Sequence, residues 1–261
     1  MVSRRSRRVG GVVDPASAPT DTKARGVGPT LVGNVKATRE DWRNLALDIL
    51  VSDGVDSVRV LTLSQRLGVS RSSFYWYFES RQDLLDQLLA FWRERNTRCI
   101  VERAGRPAAN VVRGVMNVFE CWIDESLFDP RLDFAVRAWA HLSGRVRRLV
   151  DQADDERVTA IRDMFARHGY DAENAFVRAR ILYYMQIGYY SLDLKEPMDS
   201  RLSHVPAYLR SFTGREPTPE DVADFRRYVE LTPARLAPVC RDARDRHKPA
   251  LKPTPISTAR S

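Results

Sequence analysis

The chain has 261 residues and a mass of 29.9 kDa, is 43% hydrophobic, and carries a formal net charge of +8 with a pI near 9.7. That apolar content suffices for one large or two small folded domains, while no run reaches the roughly 18 apolar residues of a membrane span and the Arg-rich N-terminus lacks the apolar core of a secretion signal. The basic surplus sits at the ends: residues 1–37 hold seven Lys/Arg against Asp14 and Asp21, and residues 241–261 hold six against Asp242 and Asp245, which leaves the chain between them at −1.

Residues 1–37 are rich in Gly, Pro, Ser and Arg without periodicity and read as a disordered basic arm, either solubilising or adding non-specific phosphate affinity. Folded structure is expected from Thr38, an N-cap with Asp41 at the third helical position. Trp42, Leu45, Ala46, Ile49 and Leu50 then follow the 3.6-residue period to about Ser52, with Gly54 just beyond. A short helix is expected from Val60 to Leu67, with Leu63 and Leu67 inward. Gly68 can take the left-handed conformation that stops it, Val69 plugs the gap, and Ser70 can cap a second helix from Arg71 to Phe78. Phe74 and Phe78 share the inner face of that helix, leaving Arg71, Ser72, Ser73, Tyr75, Trp76 and Tyr77 for the others. This is the layout of a helix-turn-helix.

GVSRSSFYWYFESRQDLL, residues 68–85, resembles the DNA-binding signature of the tetracycline-repressor (TetR) family of bacterial regulators, matching it at Gly68, Val69, Ser70, Tyr75, Phe78, Leu84 and Leu85. Tyr77 stands where His is commoner and Arg81 where Lys is commoner; both can still donate to phosphate. Arg59 stands where Thr often begins the first helix of the pair. The resemblance implies a DNA-binding set of Arg59, Arg71, Ser72, Ser73, Tyr75, Trp76, Tyr77 and Arg81. In that set Tyr75, Tyr77 and Arg81 hold phosphates, and Arg71, Ser72, Ser73 and Trp76 reach base edges. It also implies a three-helix head over 38–83 and a helical regulatory and dimerisation body over 84–232.

The remaining elements fit that body. Ser80 opens a helix expected to run unbroken to about Arg103, linking head to body, with Asp83 completing a capping box. Further helices are expected over Ala108–Glu125, from Asp129-Pro130 to Leu142, Val146–His168, from Asp171 to Leu194, Ser200–Phe212, and from Thr218 to about Leu231. Residues 233–261 lose periodicity and read as a disordered tail. No strand alternation occurs, so the fold class is all-α, a helix-turn-helix head followed by a helical body.

Within ILYYMQIGYYSLDL the helix is apolar on almost every side and must be buried all round. One side is expected to meet the core and the other a second copy of the chain, with Met185, Gly188, Tyr189 and Tyr190 as interface candidates. Trp122, Arg137, Trp139, His141, Phe165, Tyr183 and Tyr184 are candidates for a ligand pocket, as the resemblance implies; plain core packing is the alternative for the aromatic residues, and an ion pair for Arg137 and Arg180. Cys99, Cys121 and Cys240 show no metal spacing and read as reduced cytosolic thiols. Asp154-Asp155-Glu156 reads as a solvated helix face. The four histidines have no HExxH arrangement, and GxSxG, P-loop and GxGxxG patterns are missing, which leaves an enzyme on a helical fold without catalytic candidates. The expected activity is that of a cytoplasmic, homodimeric regulator of a double-stranded DNA operator. It is expected to act as a repressor responsive to a small-molecule effector, without cofactor, metal or membrane. A DNA-binding regulator without any effector is the rival.

Overall fold

The computed structural model describes residues 37–232 except 193 and 195; the expectations for the N-terminal arm and for residues 233–261 lie outside them. The described residues form ten α-helices joined by turns: α1 Arg39–Asp53, α2 Val60–Leu67, α3 Arg81–Trp92, α4 Arg98–Gly105, α5 Val111–Ile123, α6 Pro130–Ala140, α7 Gly144–Arg167, α8 Ala172–Ser191, α9 Met198–Thr213 and α10 Pro219–Leu231. The fold is all-α.

Caps set most of the boundaries. Thr38 and Asp41 form a reciprocal capping box, with the Asp41 N–H donating to Thr38 Oγ1 at 3.2 Å and the Thr38 N–H donating to Asp41 Oδ2 at 2.8 Å. Thr218 and Asp221 do the same for α10. Asp129 and Asp171 cap α6 and α8, and Ser143 caps α7, which therefore begins at Gly144. Gly68 ends α2 at φ 69°, and the Val69 N–H reaches back to the Ser64 carbonyl at 3.0 Å, a left-handed stop that a side chain at residue 68 would strain.

Two elements depart from the expected form. The second helix of the helix-turn-helix is a 3-10 segment, Arg71–Trp76. Ser70 does not cap it with its side chain. Its hydroxyl pairs with that of Ser72 at 2.8 Å, and the Ser73 hydroxyl donates to the Ser70 carbonyl at 2.7 Å. Serine hydroxyls compete locally with the α-helical ladder, and three in four residues tighten the turn.

The linking helix is also interrupted. Between α3 and α4, residues Arg93–Thr97 form a π turn, where the wider spacing places Asn96 and Thr97 both inside. Asn96 is held by two hydrogen bonds, its Nδ2 donating to the Asp129 carbonyl at 2.8 Å and its Oδ1 accepting from the Asp129 N–H at 3.1 Å.

Two apolar cores result. One gathers Trp42, Ile49, Leu50, Leu63, Phe74, Phe78 and the leucines of α3, and continues into Leu132, Val136 and Trp139 of α6 and Val146 and Val150 of α7. The other fills the body between α4, α5, α7, α8, α9 and α10. The head therefore rests on α6 and the first half of α7 through shared apolar burial, the dominant favourable term in packing.

Candidate nucleic-acid interface

The 3-10 segment is pinned from inside. Phe74 and Phe78 are buried and stack at 5.0 Å, and Trp42 meets Phe74 edge-on at 5.3 Å. With that face committed, Arg71, Ser72, Tyr75 and Trp76 point to solvent, Trp76 at 75% exposure and Tyr75 at 59%. Arg59 is exposed at the start of α2, its Nε donating to the Asp56 carbonyl at 2.8 Å. Ser73 and Tyr77 are half-buried, and Tyr77 packs against the head core.

Arg81 does not share this face. Its Nε donates to the Val58 carbonyl at 2.5 Å and its Nη2 to the Val55 carbonyl at 2.7 Å. The guanidinium fixes the loop between α1 and α2 to the start of α3, so two of its five N–H donors are engaged within the chain rather than turned to a phosphate.

Below the head lies a buried ionic cluster. Asp133 Oδ1 accepts from Trp92 Nε1 at 2.7 Å and from Arg157 Nη1 at 3.1 Å, and Asp133 Oδ2 accepts from Arg137 Nε at 2.8 Å. Arg137 grips Asp154 with two hydrogen bonds of 2.8 and 2.6 Å. The Tyr183 hydroxyl donates to Asp154 at 2.7 Å and accepts from Arg157 at 2.9 Å. Arg157 Nε donates to Thr97 of the π turn at 3.0 Å, and the same guanidinium lies 5.1 Å from the Trp92 ring centroid. Burial alone would raise the Asp133 carboxyl, but the guanidiniums of Arg157 and Arg137 hold it below its ordinary value. Burial raises the Tyr183 phenol, which stays protonated and able to donate. Two carboxylates balance two guanidiniums, so the cluster is neutral. It joins α3, the π turn, α6, α7 and α8.

This cluster accounts for residues read otherwise from sequence. Arg137 and Tyr183, expected in a ligand pocket, are used here, because their polar atoms pair with Asp133, Asp154 and Arg157. Asp154 is part of the cluster rather than a solvated face, and Glu156 pairs with Arg93 across 2.9 Å. Trp139 is buried beneath the head, Phe165 is fully buried in the body core, His141 is exposed at the end of α6, and Tyr184 is exposed on α8 with Arg180 over its ring at 5.2 Å. Of the seven pocket candidates, Trp122 alone lines the apolar cavity between α5, α8, α9 and α10; a second, more polar hollow of about 310 Å³ beside His168, Tyr170 and Asp221 takes none of them.

That cavity, of about 70 Å³, lies between α5, α8, α9 and α10. Aromatic and methionine side chains make most of its wall. Glu196 and Arg201, both half-buried, stand at its edge, and Gln186 is buried in its lining with 5% exposure. Met185 and Tyr189 line it too: the Tyr189 hydroxyl donates to Glu196 at 3.1 Å, and the Arg201 guanidinium sits 4.5 Å from the Tyr189 ring centroid. Tyr190 stacks on Phe128 at 6.0 Å and donates to the Trp122 carbonyl at 3.3 Å. Three of the four interface candidates, Met185, Tyr189 and Tyr190, thus turn toward their own body. The outward stripe of α8 runs through Val177, Ile181 and Tyr184 to Gly188, at helical spacing, and the first three are 43–54% exposed. A helix apolar all round carries no period from which to choose its inner side.

The signals that were available were the i,i+4 pair Asp133/Arg137, the i,i+3 pair Asp154/Arg157, and Gln186 as the one amide in an apolar run.

Residues 44–88 match the family model described as bacterial regulatory proteins, tetR family. Tetracycline repressor protein class G of Vibrio anguillarum is 40% identical over 57 residues, 22% of this chain and 27% of that protein. Tetracycline repressor protein class A from transposon 1721, of Escherichia coli, is 39% identical over 59 residues, 23% of this chain and 27% of that protein. The chain thus spans about a quarter of the length of these curated relatives. Mycobacterium smegmatis AmtR shares the fold at 16% identity and a TM-score of 0.50, over 79% of this chain and 96% of that one. Among the described residues no helix is long and apolar enough to cross a membrane.

Proposed function

We propose that this chain, whose residues 44–88 are a DNA-binding module of the tetR family, is a transcriptional regulator that binds a palindromic operator as a homodimer and represses until a small-molecule effector releases it. The observation that carries this reading is the recognition segment, stapled inside by Phe74 and Phe78 and exposing Arg71, Ser72, Tyr75 and Trp76 together. An exposed indole flanked by a tyrosine and an arginine suits a groove, where the arginine reads guanine or a phosphate and the aromatic side chains pack on backbone and base edges.

The homodimer is supported by the outward stripe of α8, an apolar surface continued by Leu192 at 72% exposure. Two heads then meet half-sites about one DNA turn, roughly 34–36 Å, apart. The route from effector to DNA runs from the cavity along α8 to Tyr183, through the ionic cluster, to Trp92 and the head; coupling of this kind is typically about 1–3 kcal/mol. A second reading, a regulator without effector, draws on the size of the cavity, about 70 Å³, against roughly 300–1,000 Å³ for ordinary ligand pockets.

Selection of random duplexes on the purified protein tests the central reading. The expected product is an inverted repeat with half-site centres one turn apart. Enrichment of a single half-site would exclude the dimer, and no enrichment would exclude sequence-specific regulation.

A further inference from the structure

Gln186 is the only amide in the long apolar run of α8, and it faces the cavity rather than solvent. Its side chain is 95% buried by the 5% exposure that remains, and its Nε2 has no hydrogen-bond partner. The Tyr190 hydroxyl beside it donates to the Trp122 carbonyl and can accept from at most one of the two amide N–H groups. A buried N–H left unpaired loses its hydration without recompense, so the second amide N–H calls for an acceptor beyond the Tyr190 hydroxyl. Around it the wall is Trp122, Tyr189, Tyr208, Phe225 and two methionines, Met185 and Met198. Flat aromatic faces favour a flat apolar guest, and thioethers yield easily, which lets a cavity of about 70 Å³ widen on loading.

Charge narrows the class further. The cavity wall carries Glu196 and Arg201 together at its edge, opposite in sign, and a neutral amide in its depth. A carboxylate placed beside Gln186 would lie in the depth while Arg201 stands at the edge over the Tyr189 ring, and burying it there is costly. Arg137, the cation that sequence would have offered it, is spent on Asp133 and Asp154. We infer that the cavity between α5, α8, α9 and α10 binds a small, uncharged, mainly aromatic molecule whose single carbonyl-type oxygen accepts a hydrogen bond from Gln186. This rests on the effector reading above and assigns the effector its chemistry.

Acetophenone and ethylbenzene are a matched pair of probes, alike in shape and differing in the carbonyl. Calorimetric titration of the full chain with each, at millimolar concentration, reads the site directly. In the wild type both bind. Gln186→Leu is expected to weaken acetophenone about tenfold, the worth of one buried hydrogen bond, and to leave ethylbenzene unchanged or tighter. Gln186→Met, a second apolar replacement, gives the same split if the leucine variant folds poorly. A wild type that takes up no acetophenone overturns the inference, since water alone would then serve the amide. So does a variant that weakens both probes equally or neither. Operator affinity is measured separately with and without acetophenone. Binding that leaves DNA affinity unchanged upholds the site and removes its role as the effector switch.

Discussion

The ionic cluster under the head and the cavity in the body both bury polar side chains, and they treat them in opposite ways. In the cluster nearly every polar atom meets a partner from another helix; only Arg157 Nη2 is left over. In the cavity the amide nitrogen of Gln186 is desolvated and has no close hydrogen-bond partner. A buried ion pair contributes little net stability over an apolar substitute but is expensive to break on one side. The cluster is therefore better suited to fixing how five segments meet than to holding the protein together, whereas the cavity has spare bonding capacity that a guest can use. One region fixes position and the other has room for a guest.

The sharpest way to break this contrast is Asp133→Ala, which leaves Arg137 and Arg157 facing one carboxylate and strips Trp92 of its acceptor. Equilibrium denaturation is expected to show a loss of about 3–5 kcal/mol. A loss below 1 kcal/mol would mean that water reaches the cluster and that it is not a buried joint. The same carboxylate sets the pH window. Its folded pKa lies below the ordinary 3.8, so its contribution is complete above that pH and disappears as pH falls through the lower folded value. Between pH 5 and 8 the cluster should leave stability flat, which titration of the denaturation midpoint checks.

Arg81→Ala comes next, with an expected cost of about 1–3 kcal/mol from two buried carbonyl acceptors losing their donor. Because Arg81 serves the fold, its loss should leave the salt dependence of DNA binding by the folded fraction unchanged, whereas Arg71→Ala should flatten it. Equal flattening by both would return Arg81 to the phosphate-binding set.

Ile181→Glu and Tyr190→Glu separate the two sides of α8. The first places a charge on the outward stripe and is expected to yield folded monomers by light scattering and circular dichroism. The second places one against Phe128 and the Trp122 carbonyl and is expected to unfold the body. Dimers from Ile181→Glu would move the interface off this stripe. The smallest stability change is expected from Trp76→Ala, within about 0.5 kcal/mol because the side chain is exposed, yet its selected operator should differ from that of the wild type.

Much of the fold was legible in the sequence because caps and periodicity are local. Thr38 with Asp41, Gly68, Asp129-Pro130, Asp171 and Thr218 each marked a boundary, and Phe74 with Phe78 gave the inner side of the recognition segment. What escaped depends on distant or non-periodic partners. The acceptors of Arg81 lie 23 and 26 residues away on the backbone, which no residue type announces. The pocket candidates were bulky groups on helices, and bulk alone cannot separate a wall from a core. Three serines in four residues, Ser70, Ser72 and Ser73, outweighed the helical reading of residues 71–78 by offering local side-chain partners.

The π turn at Arg93–Thr97 has a consequence for how the head is aimed. Each residue of an α-helix advances its azimuth by about 100° and its height by about 1.5 Å, and a π turn holds one residue more than the regular helix would need. The direction in which the recognition segment faces, relative to the body, is thus a matter of counting. A chain one residue shorter between Trp92 and Arg98 could run on as a regular helix with its head facing nearly the same way, whereas one residue lost inside α3 or α4 would swing the head by about 100°. In a pair of the latter chains both heads would swing, and their spacing would no longer keep phase with the groove of a duplex.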